Sequence, residues 1–226
     1  MKNTIEFIRQ IGGAKWFLAL AAGALIVACG SSDLSGAVVL AQGGRGVQAQ
    51  KNTPESAGET AAHKYFTDVE LVNQNGEKMR LYTDLLQGKV VIINSFFATC
   101  TGACLPLNRN LQKVQQALGE RIGKDVHIIS ISVDPTVDTP ASLKEYAKKL
   151  NTKPGWYFLT GDKQNVDFAL KKIGQFVDDK QAHLNIFIIG NERTGLWKKA
   201  FGLVNSDELV KVVQSVINDK PPTTPQ

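Results

Sequence analysis

The sequence predicts an α/β domain in which a mixed central sheet is flanked by helices. Continuous apolar runs at residues 90–97 and 126–133 are typical of strands that are buried on both faces. Segments with apolar residues at helical spacing follow both runs, which is the alternation of a parallel βαβ unit. Two alternating segments around Asn75-Gly76 add an N-terminal β-hairpin, because this dipeptide favours tight hairpin turns.

The individual elements follow in chain order through the predicted domain, residues 65–219. Strands are predicted at residues 69–72, 79–82, 90–97, 126–133, 156–159, 183–189 and 196–200. Helices are predicted around the apolar positions Leu107, Leu111, Val114, Leu118 and Ile122; Leu143, Tyr146, Ala147 and Leu150; Val166, Ala169, Leu170 and Ile173; and Leu209, Val212, Val213, Val216 and Ile217. Thr139-Pro140, Asp162 and Ser206 are expected to open the last three helices. With βαβ units first and a terminal hairpin and helix last, this order is thioredoxin-like.

Composition and charge limit the classes of function. The chain has 226 residues, 43% of them hydrophobic, which suits one core of about 150 residues plus additional segments. Its net charge is +5, and residues 1–28 contribute +2 through Lys2, Arg9 and Lys15 against Glu6, so the remainder carries 5 − 2 = +3. The charges are scattered and form no basic stripe. Nucleic acid is therefore excluded as a partner.

The N-terminal segment resembles an export signal. Residues 16–29 carry no charge, and this run of 14 residues is shorter than the roughly 20 that a membrane span needs. It ends in Ile26-Val27-Ala28-Cys29-Gly30, which resembles a bacterial lipoprotein cleavage box and predicts lipid attachment at Cys29. An uncleaved anchor and later cleavage near Ala41 are the alternatives. All three place the domain on the extracytoplasmic, oxidising face of a bacterial membrane.

The segments on either side of the domain have the composition of unstructured chain. Residues 30–64 are rich in Gly, Ser, Ala, Gln and Thr, which predicts a flexible linker. A linker of this length reaches roughly 30 Å and suits a domain that is tethered to a membrane. Residues 220–226 are predicted to be a disordered tail.

The three cysteines divide into one candidate for lipidation, Cys29, and the pair Cys100 and Cys104. The pair lies between a buried strand and a helix, where the helix N-terminus is expected to lower the pKa of a thiol. Positions i and i+4 place two sulfur atoms on one face of a helix. The spacing allows a structural disulfide, a redox-active pair or a site for a soft metal ion such as Cu(I).

The three histidines differ in their predicted surroundings. His63 falls in the linker and is expected to be exposed, whereas His127 falls inside a buried strand and is expected to belong to the core. His183 is predicted to begin a late strand. In a thioredoxin-like fold that loop faces the cysteine loop, and a histidine stands where a thioredoxin would carry a proline. His183 is therefore the candidate third ligand.

In combination, these motifs resemble the Sco/SenC family of copper-binding, thioredoxin-like proteins. The resemblance covers residues 66–218 and rests on the aromatic-rich strand leading into Cys100-x-x-x-Cys104, on Ser132-Val133-Asp134-Pro135-x-x-Asp138-Thr139-Pro140, and on His183. The chain departs from the family pattern at Leu105, which separates Cys104 from Pro106, and at Ala182, where the family commonly has aspartate.

The resemblance implies that Cys100, Cys104 and His183 bind Cu(I), and it also allows Cu(II). It implies a metallochaperone whose partners are a cytochrome c oxidase subunit as copper acceptor and a copper donor or thiol reductant. A thiol–disulfide oxidoreductase that uses a Cys100–Cys104 disulfide is the alternative, so enzymatic activity stays open. Asp134 and Asp138 are interpreted as structural residues at the start of a turn and helix rather than as ligands.

Overall fold

A seven-stranded mixed sheet organises the chain in this computed structural model, which describes residues 60–220. The strands are β1 (Glu70–Asn73), β2 (Lys78–Arg80), β3 (Val90–Phe96), β4 (Val126–Ser132), β5 (Trp156–Thr160), β6 (Ile186–Asn191) and β7 (Leu196–Phe201). Their order across the sheet is β2-β1-β5-β4-β3-β6-β7. The central strands β3, β4 and β5 run parallel, and the strands on both sides of them pair antiparallel.

Helices cover both faces of the sheet. They are α1 (Ala61–Phe66), α2 (Cys104–Leu118), α3 (Pro140–Lys149), α4 (Lys163–Lys172) and α5 (Ser206–Ile217). The core on one face is built with α2, α3 and α5, and the core on the other face is built with α1 and α4. Every residue of β3 and β4 is buried, because both of their faces are covered. The predicted α/β, thioredoxin-like architecture with an N-terminal hairpin is confirmed.

The second strand of the hairpin is shorter than predicted. It ends at Arg80, and the chain continues as a π-helical turn, Leu81–Leu86. The prediction of a strand over residues 79–82 is therefore wrong at Leu81 and Tyr82. The helical turn buries four of its apolar side chains at once, those of Leu81, Tyr82, Leu85 and Leu86. A strand would have directed alternate side chains towards solvent.

Two predicted boundaries near the later elements also differ from the structure. His183 does not begin a strand: it follows a short 3₁₀ helix, Lys180–Ala182, and β6 begins at Ile186. The final helix is capped by Asn205, whose side chain accepts the Asp207 backbone N–H, so that Ser206 is already helical. Both errors lie where a connection passes into the next element, and apolar periodicity carries no signal there.

The described fold begins within the segment predicted as linker. His63 lies in α1, its Nε2 atom is 3.1 Å from an Asp68 carboxylate oxygen, and its ring stacks on Tyr82 with 4.7 Å between centroids. The prediction of an exposed, uninvolved His63 is therefore wrong. Cys29 and the predicted export signal lie outside the described residues. Between residues 60 and 220, no helix combines the length and the apolar character needed to cross a membrane.

His127 confirms its prediction as a core residue. It is 5% exposed on β4, and its ring stacks on Tyr157 with 5.9 Å between centroids. Burial lowers the pKa of His127 to about 4, so the ring is neutral at physiological pH. It lies among strand residues and takes no part in the site described next.

Candidate metal centre

The cysteine pair sits where β3 passes into α2, at the carboxyl end of the parallel strands. Cys104 is the first residue of α2 and is 2% exposed, packed in the core that α2, α3 and α5 share. Cys100 lies in the preceding loop and is half-buried, and its backbone N–H donates to the Phe97 carbonyl at 3.1 Å. Both thiols are free. One sulfur is thus enclosed by the fold, whereas the other lies closer to solvent.

His183 reaches the same place from the connection before β6. Its Nδ1 atom is 2.9 Å from the Lys180 carbonyl oxygen. A carbonyl only accepts hydrogen bonds, so Nδ1 carries the proton, and Nε2 of the neutral ring presents a lone pair. That Nε2 atom lies 3.3 Å from the Cys104 sulfur. The ring is also held edge-on against Phe97, with 5.4 Å between centroids and an interplanar angle of 83°.

The structure brings together the three side chains that the sequence singled out. One ligand atom each from Cys100, Cys104 and His183 lies within 4.8 Å of the other two. No further Cys, His, Asp or Glu completes this cluster in the part of the chain that the structure describes. Two sulfurs and one imidazole nitrogen form a soft donor set, which favours Cu(I), whereas structural zinc sites take four protein ligands.

The acidity of Cys104 differs from the sequence prediction. Burial, a hydrogen bond with Cys100 and repulsion from neighbouring charges raise the pKa of Cys104 to about 12. The prediction that the N-terminus of the helix lowers the pKa is therefore wrong for this thiol, because loss of solvation outweighs the helix dipole. Cys104 is protonated at neutral pH, and a metal ion must displace that proton in order to bind.

A buried carboxylate, which sequence reasoning treated only as the start of a turn, holds the cysteine loop. Asp138 is 1% exposed and accepts the Ala98 backbone N–H at 3.0 Å and the Ser132 hydroxyl at 2.6 Å. Burial raises the pKa of Asp138. Through these bonds Asp138 ties the loop before Cys100 to the end of β4. Its aspartate-rich motif was visible in the sequence, but its contact with residue 98 was not.

An ion pair fastens the histidine segment to the same motif. The Lys180 ammonium lies 2.6 Å from an Asp134 carboxylate oxygen and 5.4 Å from the centroid of the Phe97 ring. Lys180 also supplies the carbonyl that orients His183. Sequence reasoning gave Lys180 no role. The only signal was its position, three residues before the candidate ligand.

A thioredoxin-like fold that carries two cysteines and a distal histidine at the carboxyl ends of its strands defines a class of metal-binding proteins. Within that class, the SCO1/SenC family model matches residues 57–215, and the chain belongs to this family. The family resemblance seen in the sequence is thereby confirmed.

Individual relatives agree with this assignment. The chain is 32% identical over 154 residues to a SCO1 protein homolog of Bacillus subtilis, covering 63% of this chain and 78% of that protein. A SCO1/SenC family lipoprotein from Bacillus anthracis is 26% identical, with a TM-score of 0.57 over 66% of this chain and 92% of that one.

Two further solved structures are similar. BsSco, described with a disulfide switch as a member of the Sco family of cytochrome c oxidase assembly proteins, is 29% identical, with a TM-score of 0.55 over 67% of this chain and 92% of that one. Copper-bound yeast Sco1 shares the fold at 22% identity, with a TM-score of 0.57 over 69% of this chain and 89% of that one.

Proposed function

We propose that this protein is an extracytoplasmic metallochaperone that binds Cu(I) through Cys100, Cys104 and His183. The observation that carries the proposal is the convergence of the three ligand atoms within 4.8 Å, with the unprotonated Nε2 of His183 directed at the Cys104 sulfur. A hydrogen bond that fixes the imidazole tautomer is typical of metal-binding histidines. Cu(I) is the cargo, and Cu(II) is a second ion that the same nitrogen and sulfur donors can hold.

The unequal burial of the ligands suits transfer by ligand exchange. Cys100 is half-buried, so an incoming thiolate of an acceptor can replace it while Cys104 still holds the ion. Cys104 and His183 would then be replaced in turn. Each exchange keeps Cu(I) coordinated, and no free ion is released.

We assign the acceptor to a subunit of cytochrome c oxidase, and the position of the protein to the outer face of a bacterial membrane. BsSco supports the first assignment as a relative in a family of cytochrome c oxidase assembly proteins. The Bacillus anthracis lipoprotein supports a lipid tether at Cys29, together with the cleavage box at residues 26–30. Intact-mass analysis of membrane-extracted protein tests the tether: a free Cys29 thiol would contradict it.

Copper stoichiometry of the reduced chain tests the proposed ligands. We expect one Cu(I) per chain, measured by anaerobic competition with a chromogenic Cu(I) chelator. His183→Ala removes one of three ligands and should lower the affinity by more than the ~10-fold that loss of an outer-shell partner costs. His63→Ala, a histidine outside the site, is the matched control. Unchanged affinity in His183→Ala would remove this residue from the ligand set.

Oxidation of the cysteine pair provides an independent test. A Cys100–Cys104 disulfide has no thiolate to offer, and metal binding requires deprotonated ligands, so the oxidised chain should retain no Cu(I). The copper content of fully oxidised and re-reduced samples measures this. Equal copper in both would contradict the role of the thiols.

A thiol–disulfide reductase is the second candidate, and the different exposure of the two thiols favours it. The accessible Cys100 would attack a partner disulfide as thiolate and release one partner thiol. Cys104 would then resolve the mixed disulfide, so that the partner gains two thiols and this chain holds one Cys100–Cys104 disulfide. A dithiol reductant would restore the pair.

The variant His183→Ala separates the two activities. A carrier that also reduces its partner loses Cu(I) affinity while its cysteines still cycle. A reductase alone shows changed exchange rates and no stoichiometric Cu(I) in the parent chain.

A further inference from the structure

Three large apolar side chains lie exposed close to the proposed ligand His183. Phe201, the last residue of β7, is 74% exposed, Leu203 is 57% exposed, and Leu184, which directly follows His183, is 42% exposed. Exposed apolar residues that are scattered singly are ordinary on a protein surface. A group of them marks a place where another molecule binds.

Pairing between the ends of β6 and β7 brings the three residues together. Phe201 pairs with the first residue of β6 in the antiparallel ladder. Directly beyond that pair, the Gly202 N–H donates to the Asn185 carbonyl at 2.8 Å. Leu203 and Leu184 are the next residues outward on the two chains. The apolar rim, as we call Leu184, Phe201 and Leu203, therefore lies at the end of the sheet where the histidine segment joins β6.

The buried position in this part of the chain has no side chain, and the exposed positions have large ones. Gly202 is buried, and a side chain there would overlap Leu107 of α2. Phe201 and Leu203 flank this glycine, and both lie in solvent. Burial of such side chains would stabilise the fold. Their exposure on either side of a buried glycine is therefore not explained by the stability of the domain.

The helix that begins with Cys104 also fixes the rim. The side-chain amide of Asn110 on α2 donates to the Gly202 carbonyl at 2.7 Å and to the Val204 carbonyl at 2.9 Å. These two bonds hold the backbone around Leu203 in one position. A surface that is fixed before its partner arrives loses less conformational entropy on binding than a mobile loop does.

We propose that the apolar rim is the surface on which a copper acceptor docks, through apolar side chains beside the thiols that receive the ion. This inference rests on the proposed function and adds the chemistry of the partner. Ligand exchange brings an acceptor thiolate into bonding distance of the ion, so an acceptor must cover the surface next to the ligands. The rim begins at the residue after His183. A second copy seated there would close the site from which exchange must take place.

An apolar rim suits the energetic centre of a protein interface. Charged residues are depleted at such centres, and aromatic residues are enriched among the few that carry most of the binding energy. Phe201 is the aromatic residue of the rim and the most exposed of the three. It is therefore the residue whose replacement should affect docking most.

Cu(I) transfer to two different receivers tests the proposal. One receiver is the purified, reduced soluble domain of the cytochrome c oxidase subunit, and the other is a chromogenic Cu(I) chelator, which is too small to need the rim. Phe201→Thr should raise the domain concentration that gives half-maximal transfer about 30-fold, the loss typical of a central interface residue. Its Cu(I) stoichiometry and its transfer to the chelator, both followed by stopped-flow absorbance, should equal those of the parent.

Further variants make the test specific to an apolar surface. Phe201→Leu keeps an apolar side chain and should restore most of the transfer, whereas Leu203→Ala and Leu184→Ala should show smaller losses than Phe201→Thr. Tyr65→Ala is the matched control. Tyr65 is an exposed aromatic residue of α1 whose hydroxyl donates to the Lys172 carbonyl at 3.1 Å, and its replacement should leave transfer to the domain unchanged.

Ionic strength distinguishes apolar docking from docking by charge. Salt screens exposed charges but not apolar contacts, so half-maximal transfer should need the same domain concentration, within about twofold, in ~0.05 M and ~0.5 M salt. Transfer that is lost at high salt in the parent and in Phe201→Thr alike would overturn the apolar rim as the docking surface.

The two receivers keep the possible failures apart. A parent chain that loads the chelator but not the oxidase domain contradicts the proposed acceptor, and the docking surface with it. A parent chain that loads the domain no better than Phe201→Thr does overturns the rim alone and leaves the proposed function intact. Slower transfer from Phe201→Thr to both receivers would show that the residue supports the metal centre. A parent dimer that Phe201→Thr converts to a monomer, seen by sedimentation, would identify a second copy as the occupant; either result overturns the proposal.

Discussion

The cysteine half of the metal centre and the histidine half are built from different kinds of structure. The cysteine half, residues 97–104 with Asp138, contains the proposed ligand Cys104, which is 2% exposed, and a carboxyl group that is 1% exposed. The histidine half, residues 178–185, contains no buried residue. It is held by the Lys180–Asp134 ion pair, by the Lys180 carbonyl and by the edge of the Phe97 ring.

If the three residues bind Cu(I) as proposed, this difference gives the two halves different roles in binding. A ligand fixed in the core keeps its position whether or not an ion is present, because close packing leaves it few alternatives. A ligand on an exposed segment with few contacts can open at small cost, because such segments have low local stability. We infer that the buried Cys104 anchors Cu(I), and that the exposed histidine half, together with the half-buried Cys100, governs its release. The following predictions test that division, beginning with the largest effect.

Removal of the buried ligand should have the largest effect on affinity. Cys104→Ala takes away the buried sulfur that lies 3.3 Å from the histidine nitrogen, so Cu(I) affinity should fall by more than the ~100-fold that outer-shell changes reach. Chelator competition on the reduced chain measures this fall. Leu105→Ala, an exposed neighbour on the same helix, serves as the control and should bind like the parent. A loss of less than tenfold would show that Cys104 does not anchor the ion.

Loss of the Asp138 carboxyl group should lower both the stability of the domain and its Cu(I) affinity, although Asp138 is not itself a proposed ligand. Asp138→Ala leaves the Ala98 N–H and the Ser132 hydroxyl without their partner, and each unsatisfied buried group costs about 1–3 kcal/mol of unfolding free energy. Cu(I) affinity should fall about 10–100-fold, as it does when second-shell partners are removed. Urea unfolding and chelator competition measure the two effects. Asp134→Ala is the comparison within the same motif and should change stability less; the reverse order would contradict the division proposed here.

Copper affinity should rise with pH because of the high pKa of Cys104. Because its pKa is raised to about 12, the thiol is protonated near neutral pH in the free chain, whereas the bound form requires the thiolate. Binding therefore releases the Cys104 proton, and raising the pH by one unit should strengthen binding about tenfold through this group alone. Competition with a chelator of known pH dependence gives the slope. The slope should decrease by about one proton in Cys104→Ala, and an unchanged slope would mean that Cys104 is already ionised.

The sequence was sufficient for the parts of the fold that local physics decides. The runs at residues 90–97 and 126–133 predicted β3 and β4, because a strand covered on both faces must be continuously apolar. Thr139 and Asp162 cap α3 and α4 as predicted, since both side chains accept backbone N–H groups of the first turn. The sequence also singled out Cys100, Cys104 and His183, and the structure brings these three side chains together.

What the sequence could not show depends on contacts between distant residues. Asp138 is separated by 40 residues from Ala98, and Lys180 by 46 residues from Asp134, so neither partnership follows from local spacing. The pKa of Cys104 was predicted in the wrong direction for the same reason. Its position at the start of a helix is a local feature, whereas its burial is produced by the packing of the whole domain.

A change in the histidine half should have the smallest effect on Cu(I) affinity, and it should act mainly on the rate of Cu(I) release. Lys180→Met removes the ion pair with Asp134 but keeps the backbone carbonyl that fixes the His183 tautomer. The exposed lysine contributes modestly, so affinity should fall about fivefold or less, through faster release of Cu(I) to a competing chelator. Stopped-flow transfer measures the release rate, and urea unfolding should show the parent midpoint.

Two variants make this last result specific. Lys180→Arg retains the positive charge beside Asp134 and should restore the release rate. Lys163→Met removes another exposed lysine, paired with Asp167 on α4, and should leave copper release unchanged. A lowered unfolding midpoint in Lys180→Met, or a release rate equal to that of the parent, would show that the ion pair only supports the fold. The low stability of residues 178–185 would then have to be sufficient for release, with Lys180 contributing only its backbone carbonyl.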